Sequence, residues 1–189
     1  MSKSKYGSFS GNPKTEWLVT ENGIDQDMVL LEDFLFEDPD GKPWKAPATF
    51  PINGASIPRQ LWTLIGSPFV GNYRRASIVH DIACGDATTK EERKAADVMF
   101  FYACLAGDCK FFESAVLYVG VRIGAWIDSP SFQASLSEEK RSFLQSGKRL
   151  SDDKFIKNKF LAIYKKLEAD KKFRSPVELD ELIDRYIEF

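Results

Sequence analysis

One imidazole and two carboxylates interrupt otherwise apolar helical stretches, and they are the residues best suited to chemistry. His80 is the sole histidine, which excludes zinc motifs and phosphohydrolase sites that need two or more imidazoles. It lies beside Asp81 in Ala76-Ser77-Ile78-Val79-His80-Asp81-Ile82-Ala83-Cys84. Neighbouring side chains on a helix point about 100° apart, so this pair cannot serve one role together. Asp97 is the lone charge in the run Ala95 to Gly107 (AADVMFFYACLAG). A carboxylate in such surroundings is costly unless a cation or several donors meet it. The candidates are Arg93 one turn earlier, Arg122 and Tyr118 on the next helix, and His80 on the preceding one.

If the two helices run antiparallel about the turn at Gly85 to Thr89, His80 and Asp97 fall at similar heights, within about a turn of each other. A buried His80–Asp97 contact follows, and an accessible pocket is expected above it. In such a pair the carboxylate fixes the imidazole tautomer and the other ring nitrogen takes a proton from water. Asp81, pointing elsewhere, could hold a hard cation that polarises a carbonyl. The alternative is a hydrogen bond that only ties two helices together.

The elements that must position these groups can be read from periodicity and turn chemistry. Asp27 to Phe36 reads as a strand, Pro39-Asp40-Gly41-Lys42 as a turn, and Pro43 to Phe50 as a short return strand. Prolines 43, 47 and 51 confine that return to an edge. A third strand is expected near Thr15 to Thr20. Helices then follow over Pro58 to Ile65, Asn72 to Cys84 (closed by Gly85), about 89 to Ala106 and Lys110 to Ile127. Thr88-Thr89-Lys90-Glu91-Glu92 offers two overlapping capping boxes for the third of these. Further amphipathic helices are expected at Ser137 to Gln145, Asp152 to Lys171 and Pro176 to Ile187, beyond a linker near Ser129 to Leu136. The predicted fold is α+β. A small N-terminal β-hairpin region and an antiparallel helical core occupy residues 1–128, and a helical C-terminal extension occupies 129–189.

Composition bounds the function. The 189 residues suit one domain, with or without an appendage. Twenty-six basic and 28 acidic residues give a net charge of -2, which excludes a whole-protein cationic field, and no nucleic-acid partner is expected. Between Lys154 and Arg174 eight basic residues face two acidic ones, which reads as a solvated helix face. Cys84, Cys104 and Cys109 are odd in number, arguing against a disulfide framework and for a reducing compartment. The segment MSKSKYGSFSGNPKTEWL lacks the apolar core of a signal peptide. A cytoplasmic location is expected, with delivery by a phage or secretion machine still open. No transmembrane segment is expected.

Phe50-Pro51-Ile52-Asn53-Gly54-Ala55-Ser56-Ile57-Pro58-Arg59, then Tyr73 to Asp81, then Ala96-Asp97 and Tyr118 to Gly124 resemble, in order and spacing, a phage and prophage domain family of unknown function. The resemblance covers about residues 8 to 127. The helical half is also similar to the phospholipase A2 superfamily, through His80-Asp81, Asp97 with Phe100, and Ala115, Tyr118, Arg122 and Gly124. What this implies is a phospholipase A2-like fold and a hydrolase that cleaves an acyl ester of a lipid or related substrate. His80 would activate water and Asp97 would orient it, with Tyr118, Arg122 and Arg93 in support. Asp81 would ligate calcium together with backbone carbonyls near Asn53 and Gly54, and the metal with a backbone amide would stabilise the oxyanion.

Two positions depart from the pattern: Asn53 stands where an Asp is usual, and Cys84 where a Tyr follows His-Asp. The alternative is a non-catalytic phage structural, assembly or host-interaction protein that keeps the fold and offers its C-terminal helices to a protein partner.

Overall fold

A computed structural model describes residues 4–19, 28–66, 70–135, 153–170 and 172–187. Among them the chain is mixed α+β. Six short strands, β1 (Ser8–Phe9), β2 (Thr15–Trp17), β3 (Met28–Leu30), β4 (Phe34–Glu37), β5 (Pro43–Ala46) and β6 (Pro51–Ile52), precede the helices. The helices are α1 (Trp62–Ile65), α2 (Arg74–Asp86), α3 (Lys90–Ala106), α4 (Phe111–Ile127), α5 (Pro130–Ser135), α6 (Asp153–Ala169) and α7 (Pro176–Ile183). The expected helix Ser137 to Gln145 lies outside the described residues. None of the described helices is long and apolar enough to cross a membrane.

The chain divides into two compact units, Met1–Ser56 with Ser67–Ser114, and Ile57–Gly66 with Ala115–Phe189. The first holds both sheets, each antiparallel, in the orders β1-β4-β5 and β2-β3-β6. The predicted hairpin is β4 and β5, with Phe34 opposite Ala46 and Glu37 opposite Pro43. Asp38 builds its turn. One carboxylate oxygen accepts the amides of Asp40 and Lys42 at 3.0 and 2.9 Å, and the other accepts the Trp44 indole N–H at 2.9 Å. Gly41, at φ +84°, supplies the left-handed position that closes it. As the prolines required, β5 is an edge strand.

The run from 27 to 36 is not one strand. It breaks after Leu30, and its halves join different sheets, β3 pairing with β2 and β6 while β4 pairs with β1 and β5. The charged pair Glu32-Asp33 sits at the break, where Asp33 accepts the Ala48 amide at 2.9 Å and meets Lys45 at 2.6 Å. Met28, Leu30, Phe34 and Phe36 still alternate into the core. Periodicity survived the break, and so did not reveal it.

Helices α2 and α3 form the antiparallel pair expected, packed on each other, and α2 also packs on β4, β5 and β6. At the start of α3 one of the two predicted capping boxes is made. Thr89 Oγ1 accepts the Glu92 amide at 3.1 Å, and Glu92 accepts the Thr89 amide in return. Thr88 adds its amide and hydroxyl to the same carboxylate oxygen, both at 2.8 Å, instead of pairing with Glu91. Gly85 does not close α2. The helix runs through it to Asp86, and extended Ala87 ends it. At the other end of α3, Gly107 is required by contact: a Cβ there would lie 2.7 Å from the Asn72 carbonyl oxygen. Asn72 also donates to the Asp108 carbonyl at 3.2 Å. The segment entering α2 is thereby fixed against the end of α3, which sets the register of the two helices.

In the second unit, the predicted helix Pro58 to Ile65 starts as a 3-10 turn (Arg59–Leu61) before α1, and the Trp62 indole donates to the Ile57 carbonyl at 3.0 Å. Gly120 of α4 admits this segment, since a Cβ there would lie 2.9 Å from Ile65 Cδ1. The residues expected as a linker are helical over Pro130–Ser135. Ser129 accepts the Phe132 amide at 3.3 Å, and Pro130 supplies a preset first-turn φ. In α6 the predicted stripe holds: Ile156, Phe160, Ile163 and Leu167 are buried, with Tyr164 half-buried. Helix α7 starts on a Ser175 cap and ends at Ile183, four residues short of expectation, with a turn following.

Candidate functional site

The two anomalous residues of α2 and α3 meet. His80 Nε2 and Asp97 Oδ1 are 2.8 Å apart, and neither side chain has exposed surface. The contact follows from the antiparallel pairing and from the register that the Gly107 approach sets. The Phe100 ring, 4.7 Å from the imidazole centroid at a tilt of 45°, limits rotation of the ring. Arg93, one turn before Asp97 on α3, brings Nε to 3.7 Å from the same carboxylate oxygen, so a cation also faces the buried charge.

Cys84 completes the cluster. One turn after His80 on α2, its Sγ lies 3.3 Å from Nε2 and 3.7 Å from Nδ1. The donor atoms of His80, Cys84 and Asp97 all lie within 4.8 Å of one another. Burial pushes the imidazole pKa down, but the neighbouring Cys84 sulfur and the Asp97 hydrogen bond outweigh it and raise the value from 6.5 to about 9. With Nε2 engaged by Asp97, Nδ1 is the nitrogen left for proton transfer. The accessible pocket expected above the pair is not seen at these atoms: His80 and Asp97 are sealed, and Cys84 is the half-buried member. A surface cavity of about 450 Å³ does open in the first unit, lined by Lys42, Trp44, Val79, Ala83 and Glu91, but not by the pair.

Asp81 points away from His80, as the helix angle dictates. Its Oδ2 accepts the backbone amide of Asn53 at 2.8 Å, which anchors the turn after β6, where Gly54 adopts φ +96°. A calcium cage needs six to eight oxygens converging on one point. Here Asp81 Oδ2 accepts the Asn53 amide, so that oxygen is already engaged where the resemblance implies calcium.

Tyr118 and Arg122, which the resemblance assigns to support of Asp97, meet Asp180 within the second unit. The Tyr118 hydroxyl donates to Asp180 Oδ1 at 2.7 Å, and Arg122 Nε lies 3.6 Å from the same atom. All three are buried. Asp180 was missed in the sequence, although its signal is the one that exposed Asp97: an acid among Leu179, Leu182 and Ile183 on a helix. The Cys84 contact also had a signal, the four-residue spacing from His80 that places both on one helix face. Cys104 and Cys109 are buried free thiols, as expected.

Comparison with known proteins places the cluster in context. Residues 28–121 match the family described as "Protein of unknown function (DUF1353)". The chain is 34% identical over 122 residues to "Uncharacterized protein y4jT" of Sinorhizobium fredii (strain NBRC 101917 / NGR234), covering 61% of this chain and 33% of that protein. It is 36% identical over 67 residues to "Uncharacterized protein y4iH" of the same organism, covering 35% of this chain and 28% of that one. The chain thus spans about a third or less of the length of these relatives. No solved structure matches it. His80, Cys84 and Asp97 therefore all lie within the segment, residues 28–121, that carries the DUF1353 family match.

Proposed function

We propose that this domain is an acyl-ester hydrolase with a phospholipase A2-like His-Asp dyad, of the kind found in phage-related proteins. The observation that carries the reading is the 2.8 Å contact between His80 Nε2 and Asp97 Oδ1 across two antiparallel helices. Asp97 orients the ring and stabilises its protonated form, and in the neutral form, whose share grows as the pH rises toward about 9, Nδ1 takes the proton of the attacking group. The proton transfer to His80 needs no metal, and Asp81 Oδ2 holds the Asn53 amide. With both dyad groups sealed, turnover requires an opening on the side of half-buried Cys84.

The same burial favours a second reading. A fully enclosed His-Asp pair that ties α2 to α3 serves a non-catalytic phage structural, assembly or host-interaction protein equally well, with the C-terminal helices as its partner surface. Hydrolysis of short-chain acyl esters and micellar phospholipid by wild type, His80→Gln and Asp97→Asn separates the two. The hydrolase reading expects a loss on the order of 100-fold or more in both variants, with circular dichroism unchanged. A wild type that cleaves neither substrate leaves the second reading standing.

A further inference from the structure

Of the cluster's three members, the thiol is the one nearest solvent. Asp97 and His80 are fully buried, and Cys84 is half-buried. Sulfur and carboxylate both face the imidazole: Sγ lies 3.3 Å from Nε2 and 3.7 Å from Nδ1, and Nε2 lies 2.8 Å from Asp97 Oδ1. This is the relationship of an attacking thiol, a base and a group that orients the base. From it we infer that Cys84 is the nucleophile of the site and that the acyl group passes through a thioester on its sulfur. The inference rests on the acyl-hydrolase reading and changes the attacking atom from water oxygen to sulfur.

Three features favour sulfur. The thiol is held within van der Waals reach of both ring nitrogens. It also lies on the same helix as the base, one turn away, so loop movement does not separate them. Among the three cysteines it alone is not fully buried, which leaves Cys104 and Cys109 as unreactive internal controls.

The steps balance without an added oxidant or metal. In molecules whose imidazole is neutral, a share that grows as the pH rises toward about 9, the Cys84 proton moves to His80 Nδ1 while Asp97 holds Nε2–H. The thiolate attacks the ester carbonyl carbon and forms a C–S bond. The tetrahedral oxyanion collapses, the ester C–O bond breaks, and the alcohol leaves with the proton carried by His80. Water, giving its proton to His80, then attacks the thioester carbonyl. The C–S bond breaks, the acid departs, and the thiolate recovers the proton.

The test uses the full chain and p-nitrophenyl butyrate. Wild type is mixed with excess ester, quenched in acid at intervals, and read by intact mass and peptide mapping, with nitrophenolate release followed in parallel. The expected result is a butyryl adduct confined to Cys84, accompanied by turnover that falls at least 100-fold in Cys84→Ala. Because the adduct is read on wild type, a variant that misfolds does not decide the matter. Turnover with no adduct, and undiminished in Cys84→Ala, overturns the thiol while leaving the hydrolase reading intact. An adduct on Cys84 that never turns over supports the thiol and removes hydrolysis. Neither adduct nor turnover removes both.

Discussion

The Asp81 carboxylate accepts the backbone amide of Asn53 at 2.8 Å, joining helix α2 to the turn that follows β6. The two residues that the resemblance assigns to a cation site are joined by this hydrogen bond. A hydrogen bond to a carboxylate is stronger than a neutral one, though this contact is solvent-exposed. Asp81→Ala is therefore expected to lower unfolding free energy by about 1 kcal/mol. Urea denaturation with and without millimolar calcium checks the assignment. An equal loss in both conditions is the expected outcome, and a calcium-dependent gain confined to wild type would restore a metal to Asp81.

Stability should fall in alkaline solution. His80 has a folded-state pKa raised from 6.5 to about 9, so the folded state binds the proton more tightly than the unfolded chain does. The contribution is fully present below about 6.5 and is lost as the pH rises through about 9. The slope cannot exceed about 1.4 kcal/mol per pH unit for one group. Denaturation midpoints across that window should decline in wild type and stay level in His80→Gln. A flat wild-type profile contradicts the assignment.

Two glycines near the helix ends should respond oppositely to alanine. At Gly107 the added Cβ would sit 2.7 Å from the Asn72 carbonyl oxygen, and a loss of about 1–3 kcal/mol is expected from the forced shift. At Gly85, inside α2, an added Cβ meets nothing within 4 Å. Gly85→Ala should therefore gain about 0.5 kcal/mol from reduced unfolded-state entropy. Thermal unfolding of the two variants reads both signs.

Removing the Tyr118 hydroxyl should cost stability. Its partner Asp180 is buried, with Arg122 Nε 3.6 Å away, so Tyr118→Phe withdraws one donor from a buried charge. A loss of about 1–3 kcal/mol in urea denaturation is expected. A stability identical to wild type would show that Asp180 is satisfied by its other partners.

Several parts of this structure were legible from residue order. The Thr89–Glu92 box, the antiparallel pairing of α2 and α3, the Asp38 to Lys42 turn and the β5 edge all depend on local chemistry or on short connections. The His80–Asp97 contact could be inferred because two short-linked helices each carried one polar residue on an apolar face, and a buried carboxylate must find a partner. The break after Leu30 was hidden because strand alternation continues across it. The partner of Tyr118 and Arg122 lay 62 and 58 positions on, at Asp180, a separation over which local spacing carries no information.

Residue types and spacing by themselves determined which groups are available for chemistry: one imidazole and two carboxylates, each on a helix that periodicity marked. Local preference can do this because capping, periodicity and the cost of an unpaired buried charge act over a turn or two. Only the tertiary structure decided that Asp81 holds the Asn53 amide and that the imidazole is sealed with Cys84 on its half-open side. Exposure and partnership at these atoms are set by packing between elements distant in the chain, and sequence periodicity does not encode which neighbour fills the space beside a given side chain.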